Sequence, residues 1–190
     1  MRLADLNALD ADAAASELQR CCGSSRWARM MAASRPFSSI AVAERAADEC
    51  WRRLDAADIL EAFAAHPKIG EAAGAGGPAR AGGAGRVGTT VAATTAASEA
   101  VDAARWAAHE QSGVRHATDE VRDRLAAGNR AYEARFGYIF IICATGKTAD
   151  EMLALLEQRL RNTPADELRI AAEEQRKITR LRLNKLAGAG

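Results

Sequence analysis

Gly137-Tyr138-Ile139-Phe140-Ile141-Ile142-Cys143-Ala144 is the stretch on which the fold class turns. β-Branched and aromatic residues follow one another with no charge between them, which in isolation reads as a buried strand. A strand needs a neighbour for its peptide N–H and C=O groups. No second run of comparable strength occurs in the 190 residues. The segment therefore reads as a buried extended or irregular run leading into a helix, and the fold class as all-α.

The flanks support this. Thr118 with Val121, Leu125, Asn129 and Tyr132 predicts a helix that Gly137 terminates. Beyond the run, Thr148 with Glu151 three residues on is a capping box. The helix it opens carries Met152, Leu153, Leu156 and Leu160, and Thr163-Pro164 opens the last helix, with Leu168, Ala171, Gln175, Ile178, Leu181 and Leu186. Toward the N-terminus, Leu3, Leu6 and Leu9, then Ala14, Leu18 and Cys21, recur at helical spacing, with Asp10 or Asp12 as cap of the second set. Ser25 is expected to cap a helix from Arg26 to Ala33, which Pro36 breaks. Ser38 or Ser39 caps the next, to about Leu54, and Asp55 begins another through Ala65. That one stops at His66, because a residue before proline avoids the helical region. Thr89 or Thr90 begins a helix reaching Glu110-Gln111. The expectation is a single-domain bundle of about eight or nine helices over residues 1–190, with a flexible Gly/Ala-rich surface loop at about 71–88.

Composition agrees. Hydrophobic residues make up 48% but aromatics only 5%, and much of the apolar share is alanine, a strong helix former and a poor core filler. With 26 basic and 25 acidic residues the net charge is +1, which offers no general attraction to nucleic acid or to an anionic membrane. None of Cys21, Cys22, Cys50 and Cys143 makes a C-x-x-C pair, so reduced thiols are expected rather than a disulfide framework or a zinc site. The longest apolar stretch, Tyr138 to Ala144, falls far short of the ~20 residues that span a bilayer. Asp5, Asp10 and Asp12 interrupt any signal-peptide reading, and a cytoplasmic protein is the expectation.

Four places could carry chemistry. His66 can exchange protons near neutrality, although by position alone it reads more readily as a helix-terminal cap. His109-Glu110-Gln111 could offer an acceptor and an amide to a polar ligand, or form a solvated helix face. His66, His109 and Glu110 match no short metal motif. Arg176, Lys177, Arg180, Arg182 and Lys185 scatter around the last helix, where one arginine could turn inward to clamp an anion. The run after Gly137 has backbone groups that a ligand with carbonyl or urea groups could meet, or it is plain core.

Together and in this order, these pieces resemble the 2-oxo-4-hydroxy-4-carboxy-5-ureidoimidazoline (OHCU) decarboxylase family. The matching residues are Arg35-Pro36-Phe37, Ala65-His66-Pro67-Lys68-Ile69-Gly70, Glu110-Gln111-Ser112-Gly113, Tyr132 through Ala144, Arg159-Leu160-Arg161-Asn162, and Glu174 followed by Lys177-Ile178 and Leu181-Arg182-Leu183. The resemblance implies an all-α homodimer without metal or organic cofactor, acting on a small-molecule ureidoimidazoline and yielding (S)-allantoin. It implies that His66 is catalytic and oriented by Pro67. Glu110, also catalytic, and Gln111 would hold the polar edge of the substrate. Backbone near Ile141 would contact ring or ureido oxygens, and Arg182, or else Arg159, would supply the cation. Ala107 stands where the family often has serine, Gly137-Tyr138-Ile139 is less constrained than the family's Gly-Phe-Pro, and the Gly/Ala-rich loop is longer than expected. The alternative is a non-enzymatic helical interaction module or a nucleic-acid-binding one. It predicts that His66, Glu110 and Arg182 do not converge.

Overall fold

The computed structural model describes residues 1–69 and 117–188. The Gly/Ala-rich segment at 71–88 and the helix expected before Ser112 lie outside the described residues. Among the described residues there are eight helices and no strand. They are α1 (Leu3–Ala8), α2 (Ala11–Cys22), α3 (Ser25–Ala33), α4 (Ile40–Arg52), α5 (Ala56–Ala64), α6 (Asp119–Phe136), α7 (Ala149–Arg159) and α8 (Pro164–Leu186). None is long and apolar enough to cross a membrane.

Short polar side chains set most of the helix starts. Asp10, Ser39, Asp55, Thr118, Thr148 and Thr163 each accept a hydrogen bond from a backbone N–H in the first turn. One expected cap moves by a residue. Ser24, not Ser25, caps α3, its Oγ accepting from Trp27 N at 3.2 Å. Ser25 is the first helical residue, and its N–H and Oγ–H both donate to the Glu61 carboxylate, at 3.1 and 3.3 Å. Either serine suits the local rule, and Glu61 on α5 decides between them.

The first core lies between α1–α5 and the C-terminal end of α8. Ala14, Leu18, Cys21 and Cys22 of α2 recur at helical spacing and meet Trp27, Ala28 and Met31 of α3, Ala43 and Ala47 of α4, and Leu183 and Leu186 of α8. Arg35 closes one edge of this core. Its Nη1 donates to the Leu6 and Leu9 carbonyls at 2.6 and 2.8 Å, meeting acceptors that α1 leaves open at its end. Asn7 then clamps the Phe37 peptide from both sides, at 2.8 and 2.9 Å. The Arg-Pro-Phe motif thus has a structural task.

The second core joins α6 and α7 through Leu125, Tyr132, Met152, Leu153 and Leu156. The run after Gly137 adopts no regular structure, as its lack of a partner strand predicts. Its side chains still alternate as extended chain requires. Phe140, Ile142 and Ala144 enter the second core, while Ile141 points the other way and joins Phe63 of α5 with Ala171 and Ile178 of α8. This third cluster is the junction between the two cores. α8 runs past all of it, being 23 residues and so about 35 Å long.

Gly23 ends α2 at φ +88°, donating its N–H to the Gln19 carbonyl at 2.7 Å. A Cβ at this position would lie 2.5 Å from Ala65 Cβ and 3.0 Å from the Ala62 carbonyl oxygen. The end of α5 rests directly on this glycine. Gly23→Ala is expected to cost about 2–4 kcal/mol, combining a left-handed backbone with overpacking, and to show as a lower urea midpoint with an unchanged m-value.

Candidate active site

His66 begins where α5 ends, its N–H donating to the Phe63 carbonyl at 3.1 Å. Both sides of the segment are fixed. Ala65 abuts Gly23, and beyond the His-Pro pair the Ile69 carbonyl accepts from Asn129 Nδ2 of α6 at 2.8 Å. Pro67 is exposed, and Lys68 pairs with Glu133 at 2.8 Å. The imidazole is turned inward. His66 is half-buried as a whole, but its Nε2 is shut off from solvent and has no hydrogen-bond partner.

The facing wall is α8. Gln175, Ile178, Thr179 and Arg182 form one buried stripe at helical spacing, polar where a plain bundle helix would carry leucine. Gln175 Nε2 donates to the Cys22 carbonyl at 3.1 Å and to Thr179 Oγ1 at 3.4 Å. Burial, and then the positive charge of Arg182, push the His66 pKa down to about 3, against a weaker opposing influence of the nearby Gln175 side chain. His66 is therefore a neutral imidazole at physiological pH, in a small group with Gln175 and Arg182. The thiols of Cys21 and Cys22 border the same arginine. Burial pushes both up to about 12, so they stay protonated.

Arg159 belongs to a different buried group. Its Nε and Nη2 donate to Glu167 Oε1 at 2.8 and 2.5 Å, and its Nη1 donates to the Ile141 carbonyl at 2.7 Å. Tyr132 Oη–H also donates to Glu167, and the guanidinium lies 4.7 Å from the Phe140 ring centre. Burial and this bond raise the Tyr132 pKa, keeping the phenol protonated. The Ile141 carbonyl is thus held by Arg159, while its side chain packs one turn from His66 against Phe63 and Ile178. Glu174 ties the same run to α8, accepting from Cys143 N at 2.8 Å and Lys177 Nζ at 2.5 Å. Burial pushes this carboxyl up, but the two donors outweigh it and the net shift is downward.

Of the residues singled out in the sequence, His66 and Arg182 come together, with Ile141 in the adjoining apolar cluster. Arg159 reaches that region through the Ile141 carbonyl. Ala107, His109, Glu110 and Gln111 lie outside the described residues. On the same helix Arg176 pairs with Asp48 and Glu173, and Arg180 with Glu44. A cavity of about 310 Å³ opens beside the junction cluster, lined by residues including Leu60, Phe63, Glu133 and Tyr138, but not by His66 or Arg182. Sequence reasoning overlooked Gln175 and Gly23. The available signal for Gln175 was an amide between Ala171 and Ile178 at core-facing spacing on the last helix.

Residues 7–184 match the family model described as OHCU decarboxylase. The chain belongs to the OHCU decarboxylase family. A relative from Arabidopsis thaliana, the uric acid degradation bifunctional protein TTL, is 39% identical over 171 residues, covering 90% of this chain and 46% of that protein. The chain thus spans about half the length of that relative. The 2-oxo-4-hydroxy-4-carboxy-5-ureidoimidazoline decarboxylase of Haloferax volcanii is 27% identical over 188 residues, covering 96% of this chain and 94% of its own. A crystal structure of OHCU decarboxylase in the presence of (S)-allantoin is similar at a TM-score of 0.65 and 35% identity, covering 91% of this chain and 98% of that one.

For this family member, two outcomes check the buried polar groups. Arg159→Ala removes the buried cation that faces Glu167, leaving it only the Tyr132 and Asn162 donors, and is expected to lower stability by about 3–5 kcal/mol in urea titrations. Glu174 has a folded pKa below its unfolded one, so its contribution is present above about pH 4.5 and lost as pH falls through the folded value. Glu174→Gln should therefore give a flatter loss of stability with acid, followed by the urea midpoint from pH 6 down to 3.

Proposed function

We propose that this chain converts OHCU to (S)-allantoin by decarboxylation, without a cofactor, with His66 as its acid–base group. The observation that carries the reading is a neutral, inward-facing imidazole set beside a buried guanidinium on a family framework.

The substrate bears a carboxylate and a hydroxyl on one ring carbon, next to a C=N bond. Loss of CO2 breaks the bond from that carbon to the carboxylate, and the imine accepts the electron pair. A site assists by removing water from the carboxylate, holding it out of the ring plane, and delivering a proton to one face only. Arg182 is assigned the cation, because its charge acts directly on His66, whereas Arg159 is bound to Glu167 and the Ile141 carbonyl. Glu110 and Gln111 hold the polar edge of the ring, backbone near Ile141 meets ring or ureido oxygens, and Pro67 orients the imidazole.

A histidine with a pKa near 3 is a feeble base when the site is empty. Binding changes that. Burial, and then the charge of Arg182, hold the imidazole neutral; a substrate carboxylate placed against Arg182 offsets the second of these and itself favours the protonated form. His66 gains basicity when there is a hydroxyl proton to take.

Assembly as a homodimer and a cytoplasmic setting complete the proposal. The first rests on the family resemblance. The second is supported by four cysteines outside any disulfide, three of them buried, with burial holding the thiols of Cys21 and Cys22 protonated.

The decisive experiment supplies freshly generated OHCU and follows circular dichroism, since spontaneous decay gives a racemate. The wild-type chain should build up the S enantiomer. His66→Ala should lose the ~10²–10⁴-fold that a positioned acid–base group contributes. A His66→Ala chain that keeps the full rate and still yields optically active allantoin overturns the assignment.

A further inference from the structure

We propose that Gln175 is a positioning residue for His66, its Oε1 accepting the His66 Nε2–H and so leaving Nδ1 as the lone pair offered to substrate. The inference rests on the reading of His66 as the acid–base group and assigns the tautomer in which it works.

The direction of the Gln175 amide is set by its neighbours. A backbone carbonyl can only accept, so the group 3.1 Å from the Cys22 oxygen must be the amide nitrogen. Thr179 reinforces this, because its own Oγ–H is spent on the Gln175 carbonyl oxygen at 3.0 Å. Gln175 Oε1 therefore faces away from α2. It is buried and without a partner, on a residue that is 0% exposed. His66 Nε2 is the matching orphan, also buried and also without a partner. Each buried polar group left in that state has lost its water without gaining a partner. Gln175 is near enough to act on the imidazole, and pairing the two orphans as donor and acceptor satisfies both at once.

Chemistry then fixes the proton. An amide oxygen has no hydrogen to give, so the nitrogen facing it must carry one. The imidazole is neutral beside Arg182, so it has a single N–H, and that N–H is at Nε2. The anchor behind Gln175 is rigid, since Cys22 immediately precedes the Gly23 cap against which α5 rests. The end of α2 thereby sets both the place of His66, through Ala65, and its proton, through Gln175.

The test uses the whole chain labelled with 15N-histidine. Three histidines are present, and His66→Ala identifies the signals of His66. At pH 7 without substrate, the nitrogen shifts should report the Nε2–H tautomer. Gln175→Met keeps the size of the side chain and removes the acceptor. It should release a mixture of tautomers and lower kcat about 10- to 100-fold, part of the acid–base contribution, while KM stays within about threefold. Gln175→Glu keeps an acceptor and should restore the Nε2–H tautomer, with the imidazole titration moved upward. An Nδ1–H tautomer in the wild-type chain overturns the proposal, whether or not the variants fold. So does a Gln175→Met chain with unchanged tautomer and kcat. An active His66→Ala chain that coexists with the Nε2–H signature would instead overturn the function given to His66.

Discussion

An extended segment buried inside a helical protein has peptide groups that nothing in the secondary structure can satisfy. The run from Tyr138 to Ala144 meets this constraint with side chains. Arg159 donates to the Ile141 carbonyl, Glu174 accepts from the Cys143 N–H, and Lys147 donates to the Cys143 carbonyl at 2.9 Å. Each of these bonds has a condition attached. Arg159 can be buried only because Glu167 neutralises it, and Glu167 only because Tyr132 and Asn162 share the load. A buried pair of this kind is close to neutral for stability when compared with apolar packing. Its value is placement. It holds the run at one depth, so that Ile141 meets Phe63 and Ile178 where α5 and α8 approach each other.

The last helix is built to the same logic. A helix that served only the core would present leucine at positions 175, 179 and 182. Here it presents an amide, a hydroxyl and a guanidinium, all nearly free of solvent. The apolar residues of the helix do the joining, Leu183 and Leu186 to the first core and Ala171 and Ile178 to the junction. The polar ones face the end of α2 and the end of α5. Packing and chemistry share one helix by taking different residues of one stripe.

Much of this was legible from the chain, and the boundary has a physical cause. Caps were readable because they depend on contacts within three residues, as at Thr118, Thr148 and Thr163. The slip at Ser24 shows the limit, since two adjacent serines satisfy one rule and Glu61, 36 residues on, chooses between them. The all-α reading came from a missing strand partner, an argument about the whole chain. His66 and Arg182 could be paired only through the family resemblance, because no spacing rule links residues so far apart. Arg159 looked like a candidate cation for the same reason, and only the folded arrangement displays its bonds to Glu167. Glu110 and Gln111 rest on the resemblance alone.

The bond from Gln175 to Cys22 joins positions 153 residues apart. Contacts of such separation are costly in chain entropy and form late. During synthesis α2 through α5 emerge and can collapse while the helix that completes their core is still unmade. Until α8 docks, the Cys22 carbonyl lacks this donor and His66 lacks the neighbours that set its charge. The surroundings of His66 are thus among the later features of the fold to form, since they wait on the docking of α8.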